Sequence, residues 1–577
     1  MRELEMSYDR LNDLRDRFIL KTNTSNGSEP SRKNQFSDIY YSRLSRLRSE
    51  RLVSLCNHRW NNRTTRHLKI SRVLDIDGSQ SIVIGTVYCE MRLKPNVLDD
   101  LAREHHLGAG IGLRKWITAE TEKEDQIILE DESGRVRLVG LDRNRWTLVT
   151  GIIVGVLGHE TERGDFLVKD LIYAGPPTQS SPTPNSGSEG RGGSKGLKDR
   201  SLVALVSGLE LDGNDESISS IRAQSLVDFL TGQIGDPKDN SIPDRICRLI
   251  VVGNSIRSKA LRQFQSTISN NSSNTKKTIV ENKSKQVKSD HGKDRKDATQ
   301  TRNGGDDHQK NYDQSPIDRL DEFLDQVLKN SNCSIDLMPG PSDPTISTLP
   351  QQPIHRCLLP ISNRAPSTLG NAKEPAGSKK EVGRNQLVNG PNPWWAKISG
   401  STFLGTSGQN IDDLYKYVLD EDRLKLARLT LEWSHIAPTA PDTLWCYPFK
   451  DDDPFVLDRL PDFYFIGNQP KFETDLIKFP NIDTNSDEKD ERRTRLILLP
   501  KFSKTGVVIL IDPEDQGYYQ VVQLLRDFKA SRREIKPSDS SQVTRGDDDG
   551  EESDGSEDVD GFGERIVLDM EVDDDDD

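Results

Sequence analysis

Leu202-Val203-Ala204-Leu205-Val206-Ser207-Gly208-Leu209-Glu210 is the stretch that decides how this chain is read. An unbroken apolar run with no polar alternation is the pattern of a strand buried on both faces, and the glycine two positions on marks a turn at its end. The pattern returns at Cys247–Val252, which runs into Gly253-Asn254, and at Cys333–Met338, which runs into Pro339-Gly340. Helix-like segments lie between and after these strands. Gln224–Leu230 is one; Ile317, Leu320, Leu324 and Val327 mark another, opened by Ser315-Pro316, a cap followed by proline at the first helical position. Leu424, Ala427 and Leu431 mark a third, and Leu496–Leu499 with Val507–Ile511 read as a late hairpin. Strands alternating with helices over residues 201–530 predict a layered α/β domain.

Toward the N-terminus the periodicity changes. Residues 179–200 are rich in Pro, Ser and Gly, the composition of a linker. Within residues 67–178, Ser81–Met91 alternates as a strand. Gln126–Leu129 and Arg135–Val139 flank Glu132-Ser133-Gly134, and Thr147–Leu157 and Phe166–Tyr173 flank Glu162-Arg163-Gly164-Asp165, two hairpin signals. Five short strands with a helix near Val97–Glu104 suit a small β-barrel of OB type. Tyr88, Trp116, Trp146, Phe166 and Tyr173 are the residues on which single-stranded bases would stack. Gly151–Gly158 carries no Lys or Arg, however, so a role in the core or in a protein interface stands ahead of base stacking. Within residues 37–66, Tyr40, Leu44, Leu47, Leu52 and Leu55 recur at roughly helical spacing, with Arg43, Arg46, Arg48 and Arg51 mostly between them. This predicts an amphipathic helix docked on a domain, its arginines on a solvated face.

The chain has 577 residues, 33% hydrophobic and 30% charged, too polar for one continuous globule. Disorder is expected for residues 1–36, for an insert at 266–314 and for an acidic tail at 531–577; residues 371–392 and 481–494 read as loops. The insert is lysine-rich from Lys276 to Lys296, which suits a nuclear import signal, although an ordinary solvated loop explains it as well. The net charge of −14 is concentrated between Asp547 and Asp577, leaving the rest nearer neutral, unlike a tight sequence-independent DNA binder. No apolar run is long enough to span a bilayer, so no membrane association is expected, and the first thirty residues lack the apolar core of a secretory signal. The six cysteines form no C-x-x-C pair, which argues against a zinc ribbon or a disulfide framework and for a reducing compartment.

Five glycine-containing turns carry the chemical question. They are Ser207-Gly208-Leu209-Glu210, Gly253-Asn254-Ser255-Ile256-Arg257, Gly340-Pro341-Ser342-Asp343, Gly405-Thr406-Ser407-Gly408-Gln409 and Gly467-Asn468-Gln469-Pro470. In layout they resemble the calcineurin-like metallophosphoesterases, whose corresponding turns read Ser-Asp-x-His, Gly-Asp-x-x-Asp, Gly-Asn-His-Asp/Glu, a lone His, and Gly-His-x-His. Two divalent cations about 3.5–4 Å apart need anionic ligands to offset their mutual repulsion. The positions that would supply ligands hold Gly208, Glu210, Asn254, Arg257, Pro341, Ser342, Ser407, Asn468 and Pro470 instead. The turning glycines persist while the ligands do not, so the resemblance implies an α/β sandwich without metal, cofactor or catalytic residues. The nine histidines rebuild no site: His105 and His106 are adjacent, and His355 and His435 are isolated. No nucleotide-binding G-x-x-x-x-G-K-[ST] loop is present.

Longer stretches resemble one family within that superfamily. Asp336–Thr345 with Leu349–Pro353, then Phe403–Asn410, and above all His435-Ile436-Ala437-Pro438-Thr439-Ala440-Pro441-Asp442-Thr443-Leu444 with Cys446–Phe449, look like the second subunits of DNA polymerase delta. The likeness covers roughly residues 38–178 and 200–512. It implies a nuclear, non-catalytic scaffold in DNA replication and repair. The implied partners are the C-terminal metal-binding domain of the catalytic subunit and a third subunit that reaches the sliding clamp. DNA would be met only indirectly, and DNA polymerase zeta is a further implied partner. The readings weighed against this are an active metallophosphoesterase, an independent single-strand-binding OB protein, and the small subunit of the alpha or epsilon polymerase. Ser540, Ser541, Ser553 and Ser556 lie in or near acidic contexts, and Ile566–Val572 offers a short apolar patch that suits a linear motif.

Overall fold

The computed structural model describes residues 35–61, 68–95, 115–117, 125–143, 145–177, 200–214, 217–234, 242–257, 316–363, 385–479, 492–525 and 563–568. The expected helix at Val97–Glu104, the lysine-rich insert and the serines of the tail lie outside them.

The described chain begins with a helical run. α1 (Phe36–Leu47) passes into a wide π turn at Arg48–Leu52, a short helical turn α2 (Val53–Cys56) and a second π turn at Asn57–Asn61. The five-residue step from Leu47 to Leu52, awkward for an α-helix, is what a π turn absorbs. Leu44, Leu47, Leu52, Cys56 and Trp60 all end on one buried side, against Ile82, Ile84 and Ile153. One sequence expectation fails here. Arg43 is not on a solvated face but fully buried, because it sits four residues from both Ile39 and Leu47 and so shares their stripe.

Six strands follow: β1 (Ile70–Ser71), β2 (Ser81–Glu90), β3 (Gln126–Glu130), β4 (Arg135–Val139), β5 (Ile153–Glu160) and β6 (Phe166–Tyr173). Their order is β1-β2-β3-β4-β6-β5, and β5 pairs back onto β2, which closes the barrel.

The remaining strands build two sheets. The first, seven-stranded, has β7 (Leu202–Val206), β8 (Ile246–Val252), β9 (Ser334–Met338) and β10 (Leu387–Asn389) in parallel. β16 (Val507–Asp512) pairs antiparallel with β7, β17 (Asp515–Leu524) antiparallel with β16, and β18 (Gly563–Leu568) parallel with β17. The second sheet orders β11 (Trp394–Ile398), β12 (Ser401–Thr406), β13 (Phe463–Gln469), β15 (Arg492–Pro500) and β14 (Glu473–Phe479) from edge to edge.

Alternation along the strands assigns the layers. Val203, Leu205, Ile250 and Val252 meet Phe403, Phe463, Phe465 and Ile497 between the sheets. Leu202, Ala204, Val206 and Leu249 face the other way, onto Leu226 of α3 (Ile218–Leu230) and Leu320 and Leu324 of α4 (Pro316–Asn330). On the far side, Leu404, Tyr464, Ile466 and Leu496 pack with Ile411 of α5 (Gln409–Leu414) and Leu426 and Ala427 of α6 (Arg423–Glu432), in a cluster continuous with the barrel core. The result is a helix–sheet–sheet–helix sandwich fused to a barrel.

Two further expectations are corrected. Leu496–Leu499 and Val507–Ile511 do not form a hairpin: they belong to β15 and β16, in different sheets, joined across the sandwich by the helical turn α7 (Phe502–Thr505). β16 makes its hairpin with β17 instead. The acidic tail, expected to lack structure throughout, contains the strand β18.

Candidate functional site

The five turns converge where β7, β8, β9, β12 and β13 reach their C-terminal ends, the place where open α/β sheets present ligands. Their side chains bond to one another. Asn254 Oδ1 accepts from the Ser342 amide at 3.1 Å and the Ser342 hydroxyl at 3.0 Å. Asn468 Nδ2 donates to the Ser407 carbonyl at 3.0 Å, and the Asn468 amide donates to Ser207 Oγ at 3.0 Å. Glu210, Asn254 and Asn468 hold left-handed backbone, with φ of 50°, 55° and 59°. Gly253 is pressed so closely that an added Cβ would lie 2.2 Å from Ser407 Oγ, with the backbone already at φ 70°.

Two carboxylates stand at these turns, and both are engaged. Glu210 accepts from Lys501 Nζ at 2.6 Å and from Ser503 Oγ at 2.7 Å. Burial works to raise its carboxyl, yet these two donors outweigh it and hold the group below its ordinary range. Asp343 ties two turns together, accepting from the Gly340 amide at 2.7 Å and the Ile256 amide at 3.1 Å; burial pushes its carboxyl up to about 7 in spite of those bonds. Among the described residues no group of three or more His, Cys, Asp or Glu is placed to hold a metal ion. Gly208, Asn254, Ser342, Ser407 and Asn468 are brought together, whereas Arg257 is not. Its guanidinium pairs with Asp212 and donates to Ser219 Oγ at 3.0 Å, toward α3. Pro341 and Pro470 are exposed.

The Pro438–Leu444 segment lies at a second centre, which binds the helix, the barrel and the sandwich together. Arg43 of α1 donates to Asp453 Oδ2 at 2.6 Å, and to the carbonyls of Gly151 at 3.0 Å, Pro438 at 2.8 Å and Ala440 at 2.7 Å. His435 Nδ1 accepts from the Ala437 amide at 3.2 Å, which leaves Nε2–H to donate to Asp453 Oδ2 at 2.8 Å, so the ring is neutral. Burial, with the Arg43 charge, lowers the His435 pKa to about 4 against the pull of Asp453. Burial opposes the Asp453 charge as well, but Arg43 and His435 hold that carboxyl far below the usual range. Asp442 accepts from Lys94 Nζ at 2.5 Å, and Thr443 Oγ1 donates to Asp413 Oδ2 at 2.6 Å. Thr439 is buried, Pro441 is half-buried, and the half-buried Leu444 packs on the core. Nearby, Arg51 bonds Ser434 and donates to the Leu457 carbonyl at 2.9 Å.

The barrel aromatics divide between core and surface. Phe166 is fully buried, Trp116 meets Tyr417 edge-on at 5.1 Å, and the Tyr173 hydroxyl accepts from the Thr147 amide at 2.9 Å. Tyr88 and Trp146 are half-buried, beneath Lys94 and Arg145. Sequence reasoning missed the Arg43–Asp453–His435 cluster. The signal that would have found it is the Ile39-Arg43-Leu47 spacing, which puts a charge into an apolar stripe and so demands a buried partner.

Comparison with known proteins bears on both centres. Residues 203–474 match the family model of the B-type subunit of DNA polymerases alpha and epsilon, and residues 35–171 match that of the DNA polymerase delta subunit OB-fold domain. The DNA polymerase delta small subunit of Saccharomyces cerevisiae is 34% identical over 511 residues, covering 83% of this chain and 87% of its own length. That of Oryza sativa subsp. japonica is 32% identical over 481 residues, covering 83% and 90%. DNA polymerase delta subunit 2 of Drosophila melanogaster is 28% identical over 485 residues, again covering 83% and 90%.

Proposed function

Because the chain belongs to the DNA polymerase delta small-subunit family, we propose that within that polymerase it holds other chains in place and transfers no phosphoryl group itself. It is an accessory subunit of DNA polymerase delta, with a place in DNA replication. Its site of action is the nucleus, and its sandwich is a calcineurin-like phosphoesterase body without metal ligands. The observation that carries this reading is the state of the converging turns. Glu210 is neutralised by Lys501, Asp343 is spent on backbone amides, and Asn254, Ser407 and Asn468 bond to neighbouring turns. A dication placed there would meet neutral amides, a hydroxyl and an ammonium group, which offer too little negative charge to hold it.

The scaffold bridges the C-terminal metal-binding domain of the catalytic subunit and a third, clamp-linked subunit. Rigidity suits that task, since a preorganised surface loses little entropy on docking. Arg43 supplies it by fixing helix, barrel and sandwich as one body. Permanent contacts of this kind bury on the order of 2,000 Å² or more.

Purification of the tagged chain tests the reading. A B-family polymerase catalytic chain is expected in equal amount, with no manganese-dependent phosphodiesterase activity in the isolated subunit. Recovery of a phosphatase complex lacking polymerase, or hydrolysis that disappears on Asn254→Ala and Asp343→Ala, overturns it.

A further inference from the structure

The seven-stranded sheet ends on β17, whose inner edge is taken by β16. Its outer edge is taken by β18, in parallel register from Tyr519 opposite Gly563 to Leu524 opposite Leu568. Without β18, alternate amides and carbonyls of β17 would face outward unpaired, the arrangement that recruits extended segments. We infer that the β17 edge is a strand-accepting site and that its occupant is this chain's own tail segment Gly563–Leu568, bound in cis.

Three observations carry the assignment. First, the register sets Ile566 opposite Val522 and Leu568 opposite Leu524, and both β17 positions are buried, so the pairing continues a core-forming part of the strand. Second, Ile566-Val567-Leu568 is an apolar run in an otherwise acidic stretch, with Asp558, Asp560 and Glu564 before it and Asp569 and Glu571 after it. A shift of one residue either way would bring Asp569 opposite Leu524 or Arg565 opposite Val522, so composition disfavours the neighbouring registers. Third, parallel pairing needs the chain to return along one strand length, roughly 20 Å for six residues at about 3.3 Å each. Residues 525–562 connect the two strands and are long enough to do so several times over. Tethering of this kind makes a weak strand pairing effective, because the local concentration of a linked segment reaches the millimolar range, on the order of 1 mM. The ligand class of the site is therefore an extended, β-branched segment with acidic flanks. Any partner strand using the same edge must first displace the tail.

Hydrogen exchange on the full chain tests this, with Ile566→Pro/Val567→Pro as the perturbation. Adjacent prolines ensure that one of them removes an amide on the ladder side. Exchange within Tyr519–Leu524 is expected to quicken at least ten-fold, while β7 and β8 are unchanged. A labelled peptide of residues 560–571 is expected to bind the variant at least ten-fold more tightly than the unaltered chain. Equal exchange in both proteins, or equal peptide affinity, overturns the site. A chain that sediments as a dimer and becomes monomeric in the variant overturns the cis assignment, because the strand would then come from a second copy.

Discussion

Replacing Arg43 by Met should loosen the molecule more than almost any other single change. The guanidinium and the Asp453 carboxylate are both fully shielded from water, and the three remaining bonds go to carbonyls of Gly151, Pro438 and Ala440. Removing one partner of a buried ion pair costs about 3–5 kcal/mol, because the other charge stays behind uncompensated. Orphaned carbonyls add to this, though water entering the vacated space recovers part of their loss, so about 5 kcal/mol is expected for Arg43→Met. That is a large share of the roughly 5–15 kcal/mol that separates folded from unfolded chains. Asp453→Asn should cost less, since an amide oxygen at the Oδ2 position still accepts from Arg43 and His435, although its nitrogen then faces the Phe455 amide. The double variant should then be more stable than the sum of the two losses predicts, by at least about 1.5 kcal/mol, as expected for directly bonded charges. Urea unfolding of the four proteins, followed by tryptophan fluorescence, measures the cycle. A loss under about 1 kcal/mol for Arg43→Met, or strict additivity, refutes the view that this pair clamps helix, barrel and sandwich.

Further outcomes follow from the same geometry. Gly151→Ala should act much like Arg43→Met, because its Cβ would fall 1.8 Å from the Pro438 carbonyl at φ 92°; unchanged thermal unfolding would contradict this. Stability should fall as pH drops from about 6.5 to about 4, because the unfolded His435 takes up a proton that the buried ring refuses. The depression amounts to roughly 3 kcal/mol at 1.36 kcal/mol per unit, and His435→Gln should flatten that part of the profile. Asp453, held below its ordinary range, extends the acid loss to lower pH. Gly253→Ala should cost about 2–4 kcal/mol through strain and overpacking, and Ser407→Gly in the same chain should restore part of it.

What the sequence revealed depended on how local the deciding physics was. Leu202–Val206 was legible because burial on both faces leaves a strand no polar alternation, and the turns were legible because glycine marks them. The barrel hairpins around Gly134 and Gly164 announced themselves in the same way. The Leu496–Ile511 hairpin was misread because two apolar runs joined by a short link look alike whether they pair or cross between layers. Only the packing of Phe502 against the helix side separates the two cases. Arg43 was misread because its partners lie hundreds of positions away, and local spacing is silent about them. At the turns, the identities of Glu210 and Asp343 were plain from the sequence, but their neutralising bonds to Lys501 and to the Ile256 amide were not.

The 410 positions between Arg43 and Asp453 also set a clock on biosynthesis. At about 5–20 residues per second, the carboxylate leaves the ribosome some 20–80 s after the arginine it will bind. Throughout that interval the N-terminal helix can pack on the nascent barrel, but Arg43 lacks its counter-charge and the sandwich stays unfastened. A product truncated before residue 453 therefore keeps its first helix packed on the barrel through Leu44, Leu47 and Leu52, but leaves Arg43 a buried charge without its partner, so truncated copies hold that helix less firmly than the whole chain does.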